Sequence, residues 1–466
     1  MDYKQNSNEN HRSKLQRGLD TRHVQLIAIG GAIGTGLFMG SGKTISVAGP
    51  SIILVYAIIG CVLYFVMRAM GELLLSNIQY RSFIDFSADL LGPGVGFFIG
   101  WTYWLCWVVT GTAEIIAIIN YTHFWWPSLN AWGIAFICVI FFLMFNLLAV
   151  KLFGELEFWF GLIKIIAILA LIIVGCFMIC TGFTSPNGTV ASLSNVWNDG
   201  NIFPRGLTGF FAGFQIALFS FVGIELTGTT AAEVKEPKKI LPMAINSIPL
   251  RIVLFYIFSL IVIMSVTPWD QVIPDKSPFV AMFWLIGIPI AASLVNFVVL
   301  TSAASSANSG IFSTSRMVYG LATKRGAPRL FEKLSSNRVP ANALLFSCIC
   351  ILLGYTVSSL SSSVIHAFTI VTTIASILFI FVWSVILISY IMYRHNRPAQ
   401  HATSIYKMPG GVIVCWAILA FFAFIIFLLT LETDTLIALK YIPLWFIFLG
   451  AMYLIFAKKN FIKDKK

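Results

Sequence analysis

Charged side chains are scarce in this sequence, at 11% of 466 residues, and acids are scarcer than bases, with 19 Asp and Glu against 31 Lys and Arg. A water-soluble fold needs a polar shell, and a chain that is 58% hydrophobic with a mean hydropathy of +0.88 has too little to build one. Its fitting solvent is lipid. Histidine occurs six times without a His-Glu-x-x-His spacing, and repeated acidic pairs are missing, so a membrane-embedded enzyme has no catalytic cluster to use. The eight cysteines lie in apolar stretches, and Cys348-Ile-Cys350 lacks metal-ligand spacing; they read as small hydrophobes, and no metal site is expected. Two nucleotide motifs each fail by one residue. Gly42-Lys43-Thr44 ends like a P-loop, but Leu37 stands where its first glycine belongs; Gly34 and Gly36 lack a third glycine because Met39 occupies that place. The polar leader, residues 1–22, has no apolar core or small-residue cleavage site and is expected to stay attached.

What the chain has is apolar length. Stretches of about 20 residues, enough to span a bilayer, begin near Val24, Pro50, Val95, Ala131, Phe158, Leu207, Met243, Ile288, Ala341, Ile365, Gly411 and Leu439. The expected fold is an all-α polytopic membrane protein with twelve transmembrane helices in a single domain, residues 23–458, followed by a basic tail, residues 459–466. The +12 net charge does not indicate nucleic acid, because its cations fall on alternate loops. They cluster at Arg12 to Arg22, Lys235 to Lys239, Lys324 to Arg338, Arg394 to Lys407 and Lys458 to Lys466, whereas the intervening loops hold chiefly Arg205, Lys276 and Lys440. The positive-inside rule then makes both termini cytoplasmic and the number of spans even.

Two of these spans are interrupted. The first carries Gly30-Gly31-Ala32-Ile33-Gly34-Thr35-Gly36, and each glycine weakens a helix by up to about 1 kcal/mol relative to alanine. Irregular backbone at membrane depth persists only where it is buried in protein or lines a cavity. The sixth span repeats the pattern from Gly209 through Gly213, Phe219, Ser220, Val222 and Gly223 to Glu225. For Gly209 and Gly213, close helix packing is as good a reading as a break. Paired discontinuous helices suit a transporter: freed N–H groups carry partial positive charge and exposed carbonyls the negative counterpart, so together they fit a zwitterion. An amino-acid carboxylate would lie against the N–H groups of Gly34, Thr35 and Gly36, and its ammonium near the carbonyls of Ala32, Phe219 and Val222.

Ionisable residues within spans are expensive and mark function by default. Glu114 and Glu225 are each either a hydrogen-bonded acid locking two helices or a group that meets substrate or proton. Lys164 either snorkels to the cytoplasmic face or, withdrawn from water, exchanges a proton during transport. Arg68 and Glu72, spaced four apart, read as a structural ion pair. Ser302, Ser305, Ser306 and Asn308 form a polar stripe that serves either helix packing or a substrate path.

Ile29 to Phe38 (Ile-Gly-Gly-Ala-Ile-Gly-Thr-Gly-Leu-Phe), Glu157-Phe-Trp-Phe160, Phe221-Val-Gly-Ile-Glu225 with Ala231-Ala-Glu233, and Pro242-Met-Ala-Ile-Asn246 resemble the amino acid permeases of the amino acid/polyamine/organocation superfamily. Met67 to Ser76, Leu300 to Gly310 and Ser404 to Pro409 make the chain most similar, within that family, to the D-serine/D-alanine/glycine permeases. The resemblance implies a five-plus-five inverted repeat (LeuT-like) with discontinuous helices 1 and 6, alternating access, and import of small neutral amino acids across the plasma membrane by proton symport. No cofactor is implied beyond the proton gradient. It also implies substrate contacts at Ala32, Ile33, Gly34, Thr35, Gly36, Phe219, Val222, Gly223 and Glu114, with Phe219 as an aromatic gate, and proton coupling through Lys164 and Glu225. A permease for another neutral or aromatic amino acid, or a sensor that binds without transporting, would keep the same site.

Overall fold

The computed structural model describes residues 33–458 apart from 78, 81, 148, 149, 198, 199, 230–235, 288 and 362, and gives the backbone alone for 150–153, 227, 229 and 289. Gly30, Gly31, Ala32, the leader, the 459–466 tail and Ala231-Ala-Glu233 lie outside the described residues. Among the described residues all regular elements are helical, with one isolated bridge between Thr184 and Val190.

Nine helices among the described residues are long and apolar enough to cross a membrane. The difference from twelve starts has a physical origin. Ala131–Asn146 and Gly206–Phe219 are apolar but, at 16 and 14 residues, short of a full span. Gly40–Ser76 runs the rest of the first stretch into the second through a 3-10 turn at Gly49–Ser51, and Val24 lies outside the described residues.

Local sequence sets the ends of these helices. Ser82 caps Phe83–Leu91 by accepting from the Ile84 N–H, Asn130 caps Ala131–Asn146 through Trp132 and Gly133, and Ser363 caps Val364–Asn396 through His366. Gly92, at φ 103°, ends one helix, and Pro93 at once begins the next.

The helices divide into a buried frame and a lipid-facing periphery. Pro93–His123 has 89% of its apolar window buried and Val364–Asn396 78%, whereas Thr433–Ala457 has 11%. The reason is composition. The central Pro93–His123 helix carries Thr102, Thr110, Thr112 and Glu114, which need protein partners, and its Gly100 lets Leu321 approach so closely that a Cβ would stand 2.7 Å from Leu321 Cδ2. Outer helices instead present Ile137, Ile173, Phe177, Ile413, Ile447 and Phe456 outward, an apolar surface that only lipid satisfies.

The expected Arg68–Glu72 ion pair does not form. Glu72 is fully buried and accepts from the Met408 N–H at 2.7 Å and the Tyr390 hydroxyl at 2.9 Å, with His401 Nδ1 at 2.6 Å from its other oxygen. Arg68 turns instead to Asn246 Oδ1 and the Lys407 carbonyl and lies 3.9 Å over the Tyr406 ring. Partners brought by the 398–408 segment outcompete an exposed helical pair, whose intrinsic strength is only about 0.2–0.5 kcal/mol. Beside this hub, Asp89 pairs with Arg397 at 2.7 Å and with the Tyr80 hydroxyl. Burial pushes the Asp89 carboxyl up, but the hydrogen bonds from Tyr80 and Arg397 more than offset it and hold the group below the usual carboxylate range.

Glu72→Ala is expected to destabilise the protein at about 1–3 kcal/mol for each buried donor left unpaired, with Glu72→Gln intermediate; thermal unfolding of the purified variants in detergent measures this. The Asp89 tie adds a pH dependence. Its depressed carboxyl contributes stability that is present above the normal carboxylate range and is lost as pH falls through the lowered folded value, a loss that Asp89→Asn removes from the acid limb of the melting profile.

Candidate substrate site

The first break centres on Gly34, whose backbone is extended (φ −128°, ψ −162°) before a helix starts at Thr35. The Gly34 carbonyl accepts from the N–H groups of Leu37 and Phe38 at 3.2 and 3.3 Å, so the N–H groups of Thr35 and Gly36 belong to the first turn, where a helix has no acceptor of its own. Just upstream, the Ile33 carbonyl is satisfied by the Ser302 hydroxyl at 3.2 Å.

In the sixth span, Gly206–Phe219 stops, residues 220–225 form turns, and helix resumes at Leu226–Thr229. Gly223 turns the chain with φ 99°, a conformation that side chains disfavour. Several of the freed groups have partners in the protein. The Ser220 carbonyl accepts from the Tyr256 hydroxyl at 2.9 Å and the Ser220 hydroxyl pairs with that of Tyr56 at 2.9 Å, while Phe221 stacks on Tyr256 at 4.9 Å. The Gly223 N–H donates to Glu225 Oε2 at 3.2 Å, and Tyr103 donates to Glu225 Oε1 at 3.2 Å. Glu225 therefore closes the break and ties it to Pro93–His123.

The two breaks touch. A Cβ on Gly36 would stand 2.5 Å from Ser220 Cα, 2.7 Å from Ser220 N and 3.0 Å from the Phe219 carbonyl carbon. Around this contact lies a small cavity lined by Gly34, Gly36, Thr110, Glu114, Phe219, Ser220, Val222 and Ser306. Backbone forms much of its wall. Thr110 donates its hydroxyl to the Cys106 carbonyl at 2.8 Å, so that donor is spent within its own helix. The Glu114 carboxyl lies against Ser306 and against the hydroxyl and N–H of Thr35, but Glu114 Oε2 and Thr35 Oγ1 make no hydrogen bond of good geometry, and a buried polar group without one costs about 1–3 kcal/mol.

Behind the cavity stands a charged group of three. Lys164 does not snorkel: it is fully buried, and its charge acts on both Glu157 and Glu114. Glu157 accepts from the Ser305 hydroxyl at 2.8 Å and from Asn308 Nδ2 at 3.1 Å, and Asn308 in turn accepts from Asn146 at 2.6 Å. The polar stripe thus has divided tasks: Ser302 holds the first break, Ser306 lines the cavity, and Ser305 with Asn308 holds Glu157.

Of the residues expected at the site, Gly34, Gly36, Glu114, Phe219 and Val222 line the cavity, Ile33 and Thr35 flank it, and Gly223 directs its N–H to Glu225. Ala32 lies outside the described residues. Gly209 and Gly213 are packing positions, where a Cβ would meet the Val47 carbonyl at 2.7 Å and Ala48 Cβ at 2.9 Å. Sequence reasoning missed Thr110, Ser220 and Glu157. Thr110 precedes Glu114 by four residues and Glu157 precedes Lys164 by seven, spacings that place each pair on one helix face.

Broken membrane helices meeting at a backbone-lined cavity define the class: a multi-pass membrane permease. A family model described as amino acid permease matches residues 23–466, and the chain belongs to that family. It is 62% identical to the D-serine/D-alanine/glycine transporter of Escherichia coli (strain K12) over 452 residues, 97% of this chain and 96% of that protein. It is 51% identical to the amino-acid permease AapA of Bacillus subtilis (strain 168), covering 96% of each chain, and 42% identical to the DL-alanine permease SerP2 of Lactococcus lactis, covering 97% of each. The protein is an amino acid transporter.

Gly36→Ala is expected to insert in the membrane and lose uptake by at least tenfold, because the added methyl strikes backbone that no side-chain rotation relieves. Gly34→Ala meets the tip of Glu114 at 3.2 Å and is expected to lose less. Initial uptake rates, normalised to inserted protein, order the two.

Proposed function

We propose that the chain imports small neutral amino acids, D-alanine, D-serine and glycine among them, by proton symport and alternating access. The contact of the two breaks at Gly36 and Ser220, around a small cavity, carries this reading; the 62% identity to a D-serine/D-alanine/glycine transporter supports the substrate class. In this reading the carboxylate lies against the N–H groups of Thr35 and Gly36, with Ala32, Ile33, Gly34, Val222 and Gly223 supplying neighbouring backbone, and Phe219 covers the substrate. Glu114 faces it from the third span. Lys164 exchanges the coupled proton with Glu157 and Glu114 beside it, and Glu225 couples closure of the sixth-span break to the same cycle. The proton gradient is the energy source, with no cofactor, and the lipid bilayer is the protein's solvent.

The same proposal includes twelve spans in a five-plus-five inverted repeat, with the first and sixth discontinuous. The leader 1–22 and the tail 459–466 lie in the cytoplasm on either side of the 23–458 transport domain, in the plasma membrane. The alternating distribution of loop cations supports this orientation.

Reconstituted vesicles with an imposed proton gradient test the reading. Labelled D-alanine is expected to accumulate, and to be competed by glycine and by both enantiomers of alanine and serine, but not by phenylalanine. Exchange without accumulation would sink the symport, and competition by phenylalanine would shift the substrate class. Thr35→Pro is a selective probe, because proline is tolerated at the first helical position and the extended Gly34 backbone accommodates a following proline. It removes one N–H from the carboxylate cradle and is expected to abolish uptake while leaving insertion intact. Lys164→Ala is expected to abolish gradient-driven accumulation, read as the ratio of internal to external substrate at steady state.

A further inference from the structure

Lys43 differs from Lys164, the fully buried lysine. Lys164 has two carboxylates to act on, whereas the Lys43 ammonium, on the Gly40–Ala48 helix and half-buried, donates to the neutral Thr369 hydroxyl at 2.9 Å. No carboxylate lies within ion-pair distance of it among the described residues. Thr369 gives its own proton to the Ile365 carbonyl at 2.7 Å, so it offers Lys43 only a lone pair. An ammonium has three donors to satisfy, and a partly desolvated cation without a counter-charge is costly to keep.

Its position relates it to the cavity. Lys43 follows Gly36 by seven residues, which returns to the same helix face about 10 Å further along the axis; Met39, between them, keeps right-handed helical dihedrals. Thr369 adjoins Phe368, whose ring meets Phe219 edge-on at 6.1 Å, and Phe219 lines the cavity. Going outward, the path therefore runs from the cavity, through the Phe219–Phe368 ring pair, to the Lys43–Thr369 bond. Beyond that bond, Gly42 packs against the carbonyls of Ile273, Pro274 and Lys276 in the connecting loop, which the proposed topology makes external.

We propose that Lys43 captures the carboxylate of an arriving amino acid at the outer entrance, exchanging its bond to Thr369 for one to the substrate before the substrate passes the Phe219–Phe368 ring pair. The inference rests on the import reading above and adds to it a second, transient binding position. A carboxylate adds to the ammonium's hydrogen bond an attraction between opposite charges that the neutral Thr369 hydroxyl cannot supply, and a cation set in low-dielectric walls focuses its field along the cleft. The exchange releases the link between Gly40–Ala48 and Val364–Asn396 when a carboxylate is present.

Uptake kinetics of labelled D-alanine in right-side-out vesicles test this. Lys43→Gln is expected to raise KM at least fivefold and to flatten the salt dependence of kcat/KM, and Lys43→Arg to recover most of both. Thr369→Val frees the ammonium from its competitor and is expected to lower KM. An unchanged KM in Lys43→Gln, or a shift of KM in the same direction in Lys43→Gln and Thr369→Val, overturns the capture step and leaves a structural tie between helices. Absence of D-alanine uptake by the unmodified protein overturns the substrate reading instead, so the two failures are distinguishable.

Discussion

Gly36 and Ser220 approach so closely that a single methyl group cannot stand between them. Gly36 stands in the first turn after the extended Gly34, and Ser220 in the turns that follow Gly206–Phe219, so the contact joins the two breaks. Both breaks free polar groups that hydrocarbon cannot satisfy. Much of the surrounding polar architecture follows. Ser302 takes the Ile33 carbonyl, Tyr256 the Ser220 carbonyl, Tyr56 the Ser220 hydroxyl and Glu225 the Gly223 N–H. Glu114 lines the small space between the breaks and lies against Thr35, the first residue of the helix that follows Gly34.

Charge is used sparingly and in two ways. Glu114, Glu157 and Lys164 are buried together deep in the frame, where the Lys164 ammonium acts on both carboxyls. Glu72 is also fully buried, but a histidine, a tyrosine and a backbone N–H surround it near the end of its helix. The first arrangement suits a change of protonation, since removing a proton from any member alters the field on the other two. The second suits fixation, because its donors come from separate chain segments and hold them to one helix.

Much of this was legible in the sequence because glycine and carboxylate are conspicuous in apolar surroundings. Gly34, Gly36 and the Phe219 to Glu225 run announced the breaks, and hydropathy marked the spans. What a single sequence withholds is partnership. The four-residue spacing of Arg68 and Glu72 suggested a pair that the distant residues Met408, Tyr390 and His401 displace. Glu157 was overlooked although Lys164 lies two turns away on the same face, since its other partners, Ser305 and Asn308, come from a helix about 150 residues later. Gly209 and Gly213 resemble Gly36 in composition but face a carbonyl and a methyl of a neighbouring helix, where Gly36 faces the sixth-span turn.

The ties formed by Glu72, Arg68, Asp89 and Arg397 lie at helix ends, and several of their members are open to solvent. A bond broken at the exposed Asp89–Arg397 tie is replaced by one to water, so its net cost is about 0.5–1.5 kcal/mol; only the fully buried Glu72 among them lacks that replacement. The Gly36–Ser220 contact and the hydrogen bonds behind it have no such substitute at membrane depth. Rearrangement is therefore less costly at the solvent-exposed rim than at the centre.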